Sequence, residues 1–212
     1  MNEKHTMTRE KRVNEETRTT ILRVAQELFM ESGYRAISTR QIADACGLTQ
    51  PALYHHFTDK QQLYAAMASE ELAKIGAALE RIARRGENAE ERLIQVARYL
   101  LSTTHHDLSQ MLHDIRNELS EESRVSLTKA FQTAIVQPLS TIFSDGLRAG
   151  SLKTPSEGGL DPIISIYLFM SIISQFLSHR HGESLTVLQG RELSPAEAAA
   201  TIVHTLLHGL GK

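Results

Sequence analysis

Residues 37–57, ISTRQIADACGLTQPALYHHF, gather the side chains of this 212-residue chain best suited to recognition chemistry. Ile42, Ala43, Leu48, Leu53 and Phe57 are spaced so that two short helices close on each other across Gly47, which can adopt the left-handed conformation of a sharp turn. Small Ala43 and Ala45 let the helices approach. Thr49 caps the second helix, whose opening residues are Gln50, Pro51 and Ala52. That is the grammar of a helix-turn-helix, in which the second helix enters a DNA major groove and its first residues meet base edges. On these residues alone, a purely structural helical hairpin with a glycine turn reads the same way.

Ten histidines raise a second chemistry, metal binding. His204 and His208 stand four apart on one helical face, and His105, His106 and His113 lie near one another in sequence. There is no HExxH, however, and the one cysteine, Cys46, falls in the hairpin. A competent centre needs three or four convergent ligands with outer partners. Solvated or capping histidines, no metal and no cofactor are therefore expected. The pairs Glu15-Glu16, Glu70-Glu71, Glu90-Glu91 and Glu121-Glu122 read as exposed helix charge, and no P-loop, GxSxG or GxGxxG occurs. The chain is expected not to be an enzyme, with an all-α enzyme or metal-binding protein as the rival reading. Cys46 reads as a small buried filler, because no basic neighbour in sequence would lower its pKa.

The elements that position these residues are helical. Apolar residues recur at three- and four-residue spacing and hardly anywhere alternate, so the fold class is all-α, with about nine helices and no strand. Ser38-Gln41, Thr58-Gln61, Asn88-Glu91 and Ser194-Glu197 fit the capping box, the last with Pro195 in its first turn. The first helix is expected over about Glu15 to Glu31, after a flexible tail at 1–14. Lys4, Arg9, Lys11 and Arg12 in that tail suit either a DNA-contacting arm or a solubilising extension. The apolar run Pro162 to Leu177 has 16 residues and includes Ser165, Ser171, Ser174 and Gln175. It is short of the ~20 a bilayer needs and reads as a buried helix.

Composition supports a globular chain: 41% hydrophobic, 23% charged, 5% aromatic. Net charge is −2, which rules out a uniformly basic nucleic-acid binder. Split at residue 60, the first part carries 9 basic against 8 acidic residues and the rest 14 against 17. The opening MNEKHTMTREKRVNEE lacks the apolar core of a signal peptide, and a single cysteine forms no internal disulfide, so the cytoplasm is the expected address and no membrane partner is expected.

The run ILRVAQELFMESGYRAISTRQIADACGLTQPALYHHFTDKQQL resembles the DNA-binding domain of the TetR family of bacterial transcriptional regulators. The matching features are Ala25, Leu28 and Phe29, then Gly33-Tyr34, Ile42-Ala43, Gly47-Leu48, Leu53-Tyr54, His56-Phe57 and Lys60. The resemblance implies a reading domain over 15–62 and a ligand-binding and dimerisation domain over 63–212. It also implies that Arg40 pairs with guanine and Gln50 with adenine or guanine edges, while Pro51 and Ala52 meet a thymine methyl. Ser38, Thr39, Thr49, Tyr54, His55, His56 and Lys60 would mostly contact phosphate. Arg40 as a solvated helix charge, and His55 or His56 as packing or surface groups, are the competing readings.

For the larger domain, the resemblance implies a homodimer on a near-palindromic double-stranded operator, released by a small, largely apolar effector. Paired helices from each subunit would form the interface through Ile166, Phe169, Ile173, Phe176, Ile202, Val203, Leu206, Leu207 and Leu210. Met67, Tyr99, Met111, Ile115, Phe131, Ile135, Tyr167 and Met170 are candidate effector contacts, with ordinary core packing as the alternative. The function expected is that of a ligand-released repressor. A ligand-independent or activating regulator is the runner-up.

Overall fold

Capping chemistry sets most of the helix starts in the computed structural model, which describes residues 3–103, 108–178, 187–188 and 191–209. The helices are α1 (Glu3–Ala36), α2 (Thr39–Ala45), α3 (Gln50–His56), α4 (Lys60–Ala83) and α5 (Ala89–Thr103). They continue with α6 (Leu108–Glu118), α7 (Glu121–Phe131), α8 (Gln137–Arg148), α9 (Pro162–Ser178) and α10 (Pro195–His208). The capping boxes at Ser38-Gln41 and Ser194-Glu197 both close. Asn88 Oδ1 accepts the Glu91 amide at 2.9 Å. At α4 the cap is displaced by one residue: Asp59, not Thr58, accepts an amide, that of Gln62 at 2.8 Å, and Gln62 Oε1 reaches back to the Thr58 N–H.

Two local expectations are corrected. The segment expected as a flexible tail is helical from Glu3, because nothing between there and Gly33 breaks a helix and charges such as Arg12 and Glu16 pair one turn apart. Gly33, at φ 80°, then bends the chain out of the helix. Short antiparallel strands, Val187–Leu188 and Arg191–Glu192, occur where no strand was expected.

The chain divides into two compact units, Met1–Glu71 with Gln110–Leu127, and Leu72–Ser109 with Thr128–Lys212. The cuts fall inside α4, α6 and α7, so the first unit takes in 110–127, which a single boundary near residue 62 would have assigned elsewhere. In the first unit Ile21, Phe29, Ile42, Leu53, Phe57, Leu63 and Tyr64 are fully buried or nearly so. Phe29, Tyr34 and Tyr64 form an aromatic trio with centroids 5.1–5.8 Å apart. Asp114, buried on α6, accepts both the Tyr34 amide and the Tyr64 hydroxyl at 3.2 Å.

In the second unit α10 packs along α5, burying Leu93, Val96, Ala97 and Leu100 against Ala198, Ala199, Ile202 and Val203. The buried Arg92 guanidinium donates to the Ala83 carbonyl at 2.8 Å and to Asp145 at 2.9 Å. A π-helical turn, Gln132–Val136, leads into α8, where Pro138 has no N–H for a regular α ladder. No described helix is long and apolar enough to cross a membrane.

Candidate nucleic-acid interface

Gly47, at φ 67°, turns the chain between α2 and α3, and Leu48 N–H bonds back to the Ala43 carbonyl at 2.9 Å. Leu53 and Ile42 close the hairpin from inside. Thr49 caps α3 by accepting the Ala52 amide. Pro51 is exposed in the first turn, where its missing N–H costs nothing, and Ala52 is half-buried.

Three polar side chains lock this surface. The Thr39 hydroxyl, buried at the start of α2, lies 3.1 Å from the Tyr54 hydroxyl, and Gln50 Nε2 donates to Thr39 at 3.1 Å while sitting 3.5 Å from Tyr54. Gln50 is therefore held in place before any ligand arrives, and Tyr54 keeps 42% exposure. The Arg40 side chain is 80% exposed and only loosely paired, 4.0 Å from Asp44. His55 is exposed and can meet a phosphate.

Four of the expected phosphate contacts, Ser38, Thr39, His56 and Lys60, already have surroundings within their own chain. The Ser38 hydroxyl is spent on its capping box, with Gln41 Oε1 at 2.8 Å, and Thr39 is committed to the polar cluster. His56 is half-buried; burial first, then His55 and Arg18, holds its imidazole below the ordinary 6.5, so it offers an N–H rather than a charge. The Lys60 ammonium sits 4.1 Å over the Tyr34 ring and 5.9 Å from that of Phe29. Burial pulls its pKa down while Glu118 and Asp114 oppose that shift. Sequence reasoning missed Asp114, which lies 80 residues from Tyr34 and carries no local signal. Burial also pushes the Cys46 thiol up, away from a reactive thiolate.

The candidate effector residues divide between the two units. Met67, Met111 and Ile115 are buried in the first unit and Ile135 in the second, while Tyr99, Phe131 and Met170 are half-buried. Tyr167 is 63% exposed. None of them lines either described cavity. One cavity, about 410 Å³ in the second unit, is lined by Phe143, Leu152, Leu206 and Leu207, with Glu90, Lys153 and His208 as charged or titratable groups. The other, about 510 Å³ in the first unit, is lined by Tyr34, Arg35, His113, Asp114, Asn117 and Glu118. Met67, Met111, Ile115 and Ile135 pack as core.

The candidate interface residues also face inward. Ile166, Phe169, Ile173, Ile202 and Val203 are buried by their own chain, and Phe176, Leu206 and Leu207 are half-buried; Leu210 lies outside the described residues. The outward stripe of α9 is instead Ile163, Ile164, Tyr167 and Leu168, preceded by exposed Leu160. A helix that is apolar on every side gives periodicity nothing to phase.

Residues 21–67 match the family model of bacterial regulatory proteins, tetR family. The chain is 29% identical over 116 residues to the transcriptional repressor AcnR of Corynebacterium diphtheriae, which covers 50% of this chain and 56% of that protein. The chain thus spans about half the length of that curated relative. Among solved structures, the TetR-family regulator PfmR of Thermus thermophilus superposes with TM-score 0.70 at 25% identity, over 91% of this chain and 99% of that one. AibR, solved with isovaleryl coenzyme A and operator DNA, shares the fold at TM-score 0.71 and 22% identity, over 90% and 98% of the two chains.

Proposed function

We propose, from the match of residues 21–67 to the tetR family model and the likeness of the fold to TetR-family regulators, that the chain is a cytoplasmic DNA-binding transcriptional regulator: a homodimer that represses from a near-palindromic operator and is released by a small-molecule effector. The observation that carries the DNA reading is the Thr39, Gln50 and Tyr54 cluster. It orders the first turn of α3 in advance, so binding loses less side-chain entropy. Gln50 and Arg40 read base edges; Pro51 and Ala52 offer apolar surface to a thymine methyl. Thr49, Tyr54 and His55 meet phosphates and fix the register.

The exposed apolar stripe of α9 is the surface a second copy covers, replacing the inward-facing residues expected from sequence. A two-fold axis would then set two reading helices about one DNA turn apart. The 410 Å³ cavity falls in the size range of small-molecule sites, and its lining fits a ligand with an apolar body and a polar head. That AibR holds isovaleryl coenzyme A together with operator DNA supports an effector-linked regulator. A coupling of about 1–3 kcal/mol would change operator affinity roughly 5–150-fold.

The test is fluorescence anisotropy with DNA from upstream of the gene and with unrelated DNA. Gln50→Ala is expected to weaken cognate binding by about 1–3 kcal/mol and leave non-specific binding unchanged. Tyr54→Phe, which loses only the hydroxyl, is expected to cost about 0.5–1.5 kcal/mol. Equal affinity of wild type and both variants for either DNA would sink the assignment.

A further inference from the structure

Glu90, His204 and His208 converge in the second unit, with one ligand-capable atom from each all within 4.8 Å of one another. Glu90 stands in the first turn of α5, and both histidines are on α10, one turn apart, their ring centroids 4.7 Å from each other. His208 Nε2 is 3.5 Å from Glu90 Oε1. Sequence spacing showed the two histidines but not the carboxylate, which comes from more than a hundred positions earlier in the chain. Glu90 is half-buried rather than the exposed helix charge its sequence suggested.

We infer that Glu90, His204 and His208 form a binding site for a divalent transition-metal ion, with Zn(II) the best fit to the ligand set. Nitrogen and oxygen donors about 2.0–2.1 Å from a tetrahedral zinc lie roughly 3.3 Å from each other. The Glu90 to His208 separation already approaches that value, and the remaining approach is within reach of a rotamer change in the exposed imidazoles. Two imidazoles with one carboxylate suit zinc, cobalt, nickel or ferrous iron, while calcium and magnesium call for a shell of oxygens.

Backbone electrostatics agree with the donors. His208 is the last residue of α10, whose C-terminal carbonyls favour a cation, and the first turn of α5 favours an ionised Glu90. The three ligands come from two helices packed along their buried faces, so the framework is rigid where it must be. Three protein ligands leave a fourth position, and Glu90 and His208 also line the 410 Å³ cavity, giving that position a space to open on. Water, or an oxygen of a bound small molecule, would complete the shell. This inference stands apart from DNA recognition, and its test measures metal binding directly.

The full-length protein is titrated with Co(II), followed by its visible d–d absorption, and the cobalt is then displaced with Zn(II). One Co(II) per chain is expected, released by zinc. The double variant His204→Ala/His208→Ala is expected to lower affinity by at least about 100-fold and Glu90→Gln by about 10-fold or more, whereas His113→Ala, on α6, leaves it unchanged. Circular dichroism confirms that each variant is folded, which these partly exposed positions should allow. Absence of bound cobalt in the wild type, or wild-type affinity in the double-histidine variant, overturns the site.

Discussion

α3 and α9 turn opposite chemistry to solvent. Both bury apolar side chains on the inner face, Leu53 in one and Ile166, Phe169 and Ile173 in the other. Outward, α3 presents Pro51, Tyr54 and His55, with Gln50 already fastened, while α9 presents Ile163, Ile164, Tyr167 and Leu168. Burial explains why each is a helix of this fold, and only the outer face separates a polar surface from an apolar one. Net charge does not make that distinction. The compact unit that carries α3 holds 11 basic and 14 acidic residues, and the other holds 12 and 11. The signs are the reverse of those obtained by splitting at residue 60, because Glu70 and Glu71 and the four acidic residues of 110–127 fall with the unit that carries α3. A few outward side chains, not the charge of the unit, decide what it meets.

The largest effect that sharpens this comparison is expected from charging the α9 stripe. Tyr167→Glu with Leu168→Glu would place carboxylates on the surface proposed to meet a second copy, raising the dimer dissociation constant about a thousandfold, or ~4 kcal/mol. Sedimentation equilibrium would then show monomer with wild-type helicity. A dimer that persists would place self-association elsewhere. Next in size, Asp145→Ala leaves the buried Arg92 guanidinium without its carboxylate and is expected to cost about 3 kcal/mol in urea unfolding. A loss below ~1 kcal/mol would mean that the Ala83 carbonyl and water suffice.

The smallest expected effect is on α3. His56 has a folded pKa below 6.5, so the unfolded chain binds the proton more readily. Its contribution to stability is intact above pH 6.5 and falls as the pH drops from there through the folded pKa. Urea midpoints across pH 5–8 should show a shallow decline on the acid side that His56→Gln flattens. An unchanged profile would show that the imidazole titrates as it does in solvent.

The helix-turn-helix was legible because its signals are local. Gly47, the Thr49 cap and the Ser38-Gln41 box each act within a few residues, and each is realised as spacing and side-chain chemistry demand. Its polar details were less so. Lys60 sits near a helix start, as expected for an anion contact, yet it is claimed by the rings of Tyr34 and Phe29, whose approach depends on tertiary packing. In the second unit the decisive partners are far apart in sequence: Arg92 with Asp145, and Glu90 with His208. Helical periodicity announced α9 but not its outward side, since every side is apolar.

Asp114 gives the molecule an order of assembly. The carboxylate that accepts the Tyr34 amide and the Tyr64 hydroxyl is made 80 and 50 residues after them. At about 5–20 residues per second, the ribosome takes several seconds to supply it once Tyr64 has been added. During that interval the three N-terminal helices are present as sequence while the tyrosines lack their buried acceptor. The N-terminal hairpin is thus completed only after the chain has passed well beyond it, and a nascent chain stalled before α6 would carry α3 on an unfinished base.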